Sequence, residues 1–284
     1  MKRGRVNTNS KAQTTIFIII AVIVVILIIT FVYFNNSISF TKLDAEYFES
    51  SELKPQLTNI ESLIINCLDE TSKQALETIA IQGGYYEQPK KALELDDVFV
   101  PYYYYEGQYQ NPTKQQIQTE LEKFVNNNLK NCLNNIQVTD FTISIKTPKT
   151  QALIKQKNVE FKFDSQIKII KDKKHVLFEI NQHPLTQPSA LYDILEVADY
   201  ITESHKEDSE MYCISCVDEL AEKKDLYVDI IPITDITTLI IISDNRTSTE
   251  PYSFEFLNQY TGDETSPEFE VGGNVPEPPT GGVE

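Results

Sequence analysis

Four cysteines, three histidines and a run of tyrosines are the side chains whose type and spacing can do chemistry in this chain. Cys213-Ile-Ser-Cys216 is the sharpest of these patterns. A C-x-x-C that opens a helix can be a redox pair, because the helix N-terminus lowers the pKa of a thiol. Here Glu210, Asp218 and Glu219 push the other way. The motif therefore reads first as a local disulfide or structural thiols, second as a redox couple, and last as half of a zinc site, with His205 the nearest further ligand. Cys67 and Cys132 each fall on the apolar face of a helix. Buried free thiols are common core residues, but in an oxidising compartment two core-facing cysteines are expected to bridge. A loop of about 65 residues closed in this way is worth about 4 kcal/mol in the chain-entropy model.

The remaining chemistry is thin. His175, His183 and His205 form no H-E-x-x-H or other metal spacing, and His175 is expected solvated in a Lys-rich turn. There is no G-x-S-x-G, P-loop or dinucleotide fingerprint. Gly83-Gly84 is too short to cradle phosphate and reads as a helix stop. Asp218, Glu219 and Glu222 read as a solvated helix face. No catalytic residue, metal or cofactor is expected, and the chain is not expected to be an enzyme. The binding candidates are Tyr102, Tyr103, Tyr104, Tyr105 and Tyr109. In a strand, Tyr102 and Tyr104 face one side and Tyr103 and Tyr105 the other, so one pair is expected in the core and the other partly exposed. Exposed tyrosines suit protein or glycan contact.

Periodicity supplies the elements that position these residues. Leu53, Leu57, Ile60, Ile64, Cys67 and Thr71 recur at helical spacing and predict a helix over about 51–81. Val98–Tyr105 is aromatic and β-prone, and Pro101 places it at a sheet edge. Asn111-Pro112-Thr113 starts a second helix, with Ile117, Leu121, Phe124, Val125, Leu129 and Cys132 on one face. Alternation predicts strands at 141–145, 159–163, 167–169 and 176–180. Helices follow over 189–204 and about 213–223, then closing strands at 226–233, 237–243 and 252–257. Helices packed on one antiparallel sheet make an α+β domain.

The N-terminus decides the address. Lys2, Arg3, Arg5 and Lys11 precede an uncharged run, Thr14–Phe34, with neither Pro nor Gly. About 20 apolar residues at ~1.5 Å each span the hydrocarbon core. The run exceeds a signal-peptide core and lacks an A-x-A site, so a retained transmembrane anchor is expected. Positive charge on one flank places Met1–Ala12 in the cytoplasm and the rest outside. The organisation read from this is a basic segment 1–13, an anchor 14–35, a linker 36–50, an extracytoplasmic α+β domain 51–259 and a disordered acidic Pro/Gly tail 260–284. The roughly 250 residues after the anchor suffice for one large domain or two small ones. Asn245-Arg246-Thr247 is a candidate glycosylation site, as is Asn35-Asn36-Ser37, although Asn35 sits close to the membrane.

The chain has 42 acids against 25 bases, a formal charge of −17. Nucleic acid is not an expected partner of such a surface. Anionic headgroups are not expected to be contacted beyond the anchor.

Lys11-Ala12-Gln13 directly before the apolar run resembles the processing site of archaeal class III signal peptides, the type IV pilin kind. The resemblance implies cleavage between Ala12 and Gln13, with the apolar segment retained. The pilin pattern has Glu at the fifth mature position, where this chain has Phe17. Further along, ESLIINCLDE, IQGGYYEQP, VPYYYYEGQ, ELEKFVNNNLKNCL and PYSFEFLNQY are similar to a group of uncharacterised archaeal single-pass membrane proteins. That resemblance implies a class of protein and no activity. The expectation is a membrane-anchored surface protein in a binding or envelope-structural role, held in the bilayer through 14–35, with an unknown surface protein or glycan as partner. The alternatives are a pilin-like filament subunit and an extracytoplasmic thiol-redox enzyme using Cys213 and Cys216.

Overall fold

The computed structural model describes residue 48 and residues 53–95, 98–146, 148–182, 184–206, 213–244 and 252–261. The predicted anchor, Ala12, Gln13, His183, Asn245 and nearly all of the predicted tail lie outside these residues. In chain order the described elements are α1 (Lys54–Ile81), β1 (Ala92–Leu95), β2 (Val98–Tyr105), β3 (Gln108–Tyr109), α2 (Lys114–Asn134), β4 (Thr142–Ile145), β5 (Thr150–Lys155), β6 (Asn158–Phe163), β7 (Gln166–Lys171), β8 (Lys174–Glu179), a 3-10 turn (Ile180–Gln182), β9 (Leu185–Pro188), α3 (Leu191–Ser204), α4 (Ile214–Lys223), β10 (Tyr227–Thr234), β11 (Thr237–Asp244) and β12 (Tyr252–Gln259). This is an α+β protein. Among the described residues no helix is long and apolar enough to cross a membrane.

Both long helices obey their sequence signals. In α1 the predicted face is buried at Ile60, Ile64, Cys67 and Thr71, and the buried Leu76 and Ile79 lie further along the helix. The helix ends where Gly83 and Gly84 take positive φ, with Gly84 N–H donating to the Ile79 carbonyl and Gly83 N–H to that of Ala80. This is the paired closure of a glycine-terminated helix, and only glycine adopts it without strain. In α2 the start is a capping box. Thr113 Oγ1 accepts from the Gln116 N–H at 3.3 Å, and Gln116 Oε1 accepts from the Thr113 N–H at 2.7 Å. Two donors that have no partner inside the helix are thereby satisfied.

The chain divides into two compact units, residues up to Leu76 with Leu121–Pro188, and Glu77–Glu120 with Ser189 onward. In the first, β4, β7 and β8 form one three-stranded antiparallel sheet and β5, β6 and β9 another. Their alternation is regular, with Ala152, Ile154, Val159, Phe161, Phe163, Ile167 and Ile169 buried. The β5 edge of the β5–β6–β9 sheet is occupied by helix side chains. Asn126 Oδ1 accepts from Thr150 N–H at 2.9 Å and Glu122 Oε1 from Ala152 N–H at 3.0 Å. On the β9 side, Gln187 Nε2 donates to Asp69 Oδ1 at 2.8 Å. The two contacts on β5 use backbone N–H groups through which an open edge invites pairing with another chain.

In the second unit a six-stranded sheet runs β1-β2-β12-β11-β10, with β3 on β2. Three expectations are corrected here. The single antiparallel sheet is in fact three sheets across the two units, and β2 pairs with β12 in parallel. The strand carrying Pro101 is interior, not an edge. Its first half pairs with β1 and its second half with β12, and Pro101 sits at the hand-over, where no N–H is needed. The next donor, Tyr102 N–H, goes to the Lys91 carbonyl at 3.1 Å. The alternation of the tyrosines also fails. Leu257 lies opposite Tyr102 and Asn258 opposite Tyr104, so one extra residue of β2 is bulged at Tyr103 and the facing pattern resets. The strands β1, β3, β5 and β9 carry no clear signal. In β5 the buried residues are Thr150, Ala152 and Ile154 while Leu153 points outward, which blurs the usual contrast.

An added Cβ at Gly83 would stand 2.5 Å from Pro101 Cγ and 2.6 Å from the Glu255 carbonyl oxygen, whereas one at Gly107, also at positive φ, meets nothing within 4 Å. Gly107→Ala should cost about 1 kcal/mol from backbone strain alone, and Gly83→Ala at least about 2 kcal/mol more. Urea denaturation of both variants measures the difference, and equal costs would remove the packing argument.

Candidate functional site

Cys213 is the N-cap of α4. Its backbone is extended, its sulfur accepts from the Cys216 N–H at 3.2 Å, and Ser215 Oγ lies 3.5 Å away. Cys213 and Cys216 are at disulfide distance, Cα–Cα 5.2 Å. Cys213, Ile214 and Ser215 are exposed. Val217 and Ala221 are the buried residues of the same helix and form the contact stripe that seats it, α4 packing against β10 and α3. Lys224, just past its end, reaches both Asp193, at 3.1 Å, and Glu196 of α3. A seated helix thus presents an exposed two-sulfur bridge at its positive end.

Cys67 of α1 and Cys132 of α2 form the second pair at disulfide distance, Cα–Cα 5.8 Å, so none of the four cysteines is free. Their settings differ. Cys67 is buried and its loop spans 65 positions, while Cys213 is exposed and its loop spans three. In the chain-entropy model the long loop is worth about 4 kcal/mol and the short one about 2 kcal/mol.

His205, the nearest candidate metal ligand, is buried and stacks on Tyr104 with ring centroids 4.5 Å apart. Its Nε2 shares a hydrogen bond with Asn258 Nδ2 at 3.1 Å. Sulfurs bonded to each other are not thiolate ligands, and among the described residues no cluster of three or more His, Cys, Asp or Glu can hold a metal ion. His175 is not in a turn. It lies in β8 opposite Ile170 and is half-buried.

The tyrosines separate into core and rim. Tyr103 is fully enclosed, stacked on Phe256 at 4.3 Å and edge-on to Phe254, with its hydroxyl donating to the Gly83 carbonyl at 3.0 Å. Tyr104 is buried between His205 and Tyr109. Both serve packing. Tyr102 and Tyr105 are half-buried and meet edge-on at 5.1 Å, with the Lys91 ammonium 3.9 Å over the Tyr105 ring. Tyr109 is exposed, with Lys206 5.7 Å from its ring centre. The rim consists of Tyr102, Tyr105 and Tyr109, so one ring of each expected pair is buried and the other is not. The half-buried Tyr85, which donates to the Gln110 carbonyl, was not singled out as a site.

Burial holds the Tyr103 hydroxyl well above its ordinary pKa. Burial, and then the nearby Glu120 carboxylate, push Tyr85 up to about 12. The folded chain therefore keeps protons that the unfolded chain releases near pH 10, and stability should fall as pH rises from about 10 to 12. In an alkaline titration followed by tyrosinate absorbance and far-UV circular dichroism, Tyr85 and Tyr103 should ionise late and together with loss of structure. Ionisation of all tyrosines near pH 10 with the fold intact would contradict this.

No protein-family model, curated protein or solved structure matches this chain.

Proposed function

We propose that this is a membrane-anchored surface protein whose two compact units act outside the cytoplasm, in a binding or envelope-structural role. The observation that carries this reading is the uncharged run Thr14–Phe34 behind four basic residues. A segment of that length and composition inserts favourably, and its flanking charge sets the direction. Two cysteine pairs at disulfide distance support the same compartment, because such bridges persist where thiols are not kept reduced. Each central Ile or Val contributes about −0.3 to −0.6 kcal/mol to insertion and a central Asp costs about +2.5 to +3.5 kcal/mol. Ile20→Asp combined with Val25→Asp should release the chain into the soluble fraction after an alkaline carbonate wash. Retention of the double variant in the membrane pellet would refute the anchor.

A second reading is supported by the exposure of the Cys213–Cys216 bridge at the start of α4. In this reading a dithiol on a partner protein attacks Cys213, forms a mixed disulfide, and then resolves it. The partner leaves oxidised, and Cys213 and Cys216 take up two electrons and two protons. The pair should then equilibrate with glutathione buffers in the range of about −180 to −230 mV. A bridge that stays oxidised at poises below about −300 mV is structural, and that result excludes the redox role.

A further inference from the structure

Helix α4 turns back on the strand that follows it. Leu226 N–H donates to the Ala221 carbonyl at 2.9 Å and Asp225 N–H to that of Glu222 at 3.1 Å, with Asp225 at φ 54°. This closure reverses the chain within Lys224–Leu226, so α4 runs antiparallel to β10 and packs on it. The helix rises about 15 Å from Ile214 to Lys223, the length of about four or five strand residues. The burial of β10 agrees. Val228 and Ile230 are half-buried and lie opposite the buried Ile242 and Ile240, on the side that α4 covers. From Ile231 to Thr234 every residue is exposed. The N-terminus of α4, with the Cys213–Cys216 bridge, therefore stands over the start of the uncovered part of β10.

Aliphatic side chains are left open at that place. Ile214, Val217 and Ala221 lie on one face of α4 by their spacing. Val217 and Ala221 are buried, whereas Ile214, at the end of the same stripe, is 58% exposed. On β10, Pro232 alternates to the face of Val228 and Ile230. Pro232 lies opposite Thr238 and Thr234 opposite Thr237, which leaves Ile233 as the extra residue of a bulge, 49% exposed. The exposed Ile231 alternates to the other face and takes no part. Ile214 overhangs the contact stripe and adds nothing to the seating of α4, and no charged residue separates it from the bridge.

Within the bridge Cys213 is exposed and Cys216 half-buried, so an incoming thiolate meets Cys213 first. We propose that Ile214, Pro232 and Ile233 form an apolar notch beside the bridge, and that it receives the apolar side chain flanking a cysteine in an extended polypeptide. This rests on the reading of Cys213 and Cys216 as an exchange site and names the substrate class of that site. The first partner thiolate attacks Cys213 Sγ, the Cys213–Cys216 bond breaks, and Cys216 leaves with the electron pair and takes a proton. The second partner thiolate attacks the first partner sulfur, and Cys213 leaves in turn. Its thiolate is received by the Cys216 N–H, 3.2 Å away, and by Ser215 Oγ at 3.5 Å. The partner keeps the new disulfide, and two electrons and two protons stay on the pair. A small polar thiol such as glutathione has no side chain to place in the notch.

The test uses the full oxidised chain and two synthetic dithiol peptides that differ at one position, Leu or Ser next to the first cysteine. Reduction of the Cys213–Cys216 bridge is followed by acid quench, thiol alkylation and mass spectrometry. The Leu peptide should react at least about tenfold faster than the Ser peptide, the scale of burying one aliphatic side chain. In Ile214→Ser with Ile233→Ser that ratio should fall to about one. In Leu153→Ser, which removes an exposed aliphatic side chain from the first unit, the ratio should stay as it is. Equal rates with the two peptides in the unmodified chain overturn the notch and leave the exchange reading standing. A preference for the Leu peptide that survives Ile214→Ser with Ile233→Ser also overturns it. A bridge that neither peptide nor glutathione reduces removes the exchange reading and the notch with it. If sedimentation shows a dimer that Ile214→Ser with Ile233→Ser dissociates, the notch is an interface between copies and the proposal falls.

Discussion

Tyr103 is the point on which the second unit closes. Its ring stacks on Phe256 of β12, meets Phe254 edge-on, and its hydroxyl caps the Gly83 carbonyl at the end of α1. Aromatic pairs of this kind add about 0.5–1.5 kcal/mol beyond area burial. The hydroxyl matters as much as the ring, because burying it without a partner would cost about 1–3 kcal/mol. The bulge in β2 is what turns Tyr103 into this position, and the parallel pairing of β2 with β12 is what brings Phe254 and Phe256 to it. Gly83 is required there because Pro101 and the Glu255 carbonyl leave no room for a Cβ. Helix stop, bulge and parallel pair are one constraint seen from three elements.

The first unit is organised by different means. Its sheets are small, and three-stranded sheets carry little core of their own. Helix side chains take up the backbone edge of one of them through Asn126 and Glu122, and the Cys67–Cys132 pair ties α1 to α2. The outward faces are of mixed charge, with Lys168 and Glu179 on one sheet and Lys155, Lys162 and Glu160 on the other. The strongly acidic total also conceals a basic stretch of sequence, residues 146–174. The signal was present as nine lysines in 29 residues, and a windowed charge count would have found it.

Among the candidate sites, legibility tracked how local the determinant was. The N-cap role of Cys213 follows from the residues next to it, and so did the expectation that α4 starts there. The placement of His205 does not. It is buried through Tyr104 and Asn258, about a hundred positions before it and fifty after it in the chain. The tyrosine run shows both sides. Its residue types correctly announced a strand, and its alternation wrongly announced which rings would be exposed.

The sequence by itself determined the helices, most of the strands and the glycine stop after α1, because apolar periodicity and turn chemistry are encoded within one or two turns of the chain. Tertiary structure decided that β2 is interior, that it runs parallel to β12, and that Tyr103 and Tyr104 are core. Those outcomes depend on pairing between segments as much as 150 residues apart, as with Tyr105 and Gln259. Such pairing is selected by the burial of whole faces, a property that no local window of sequence contains.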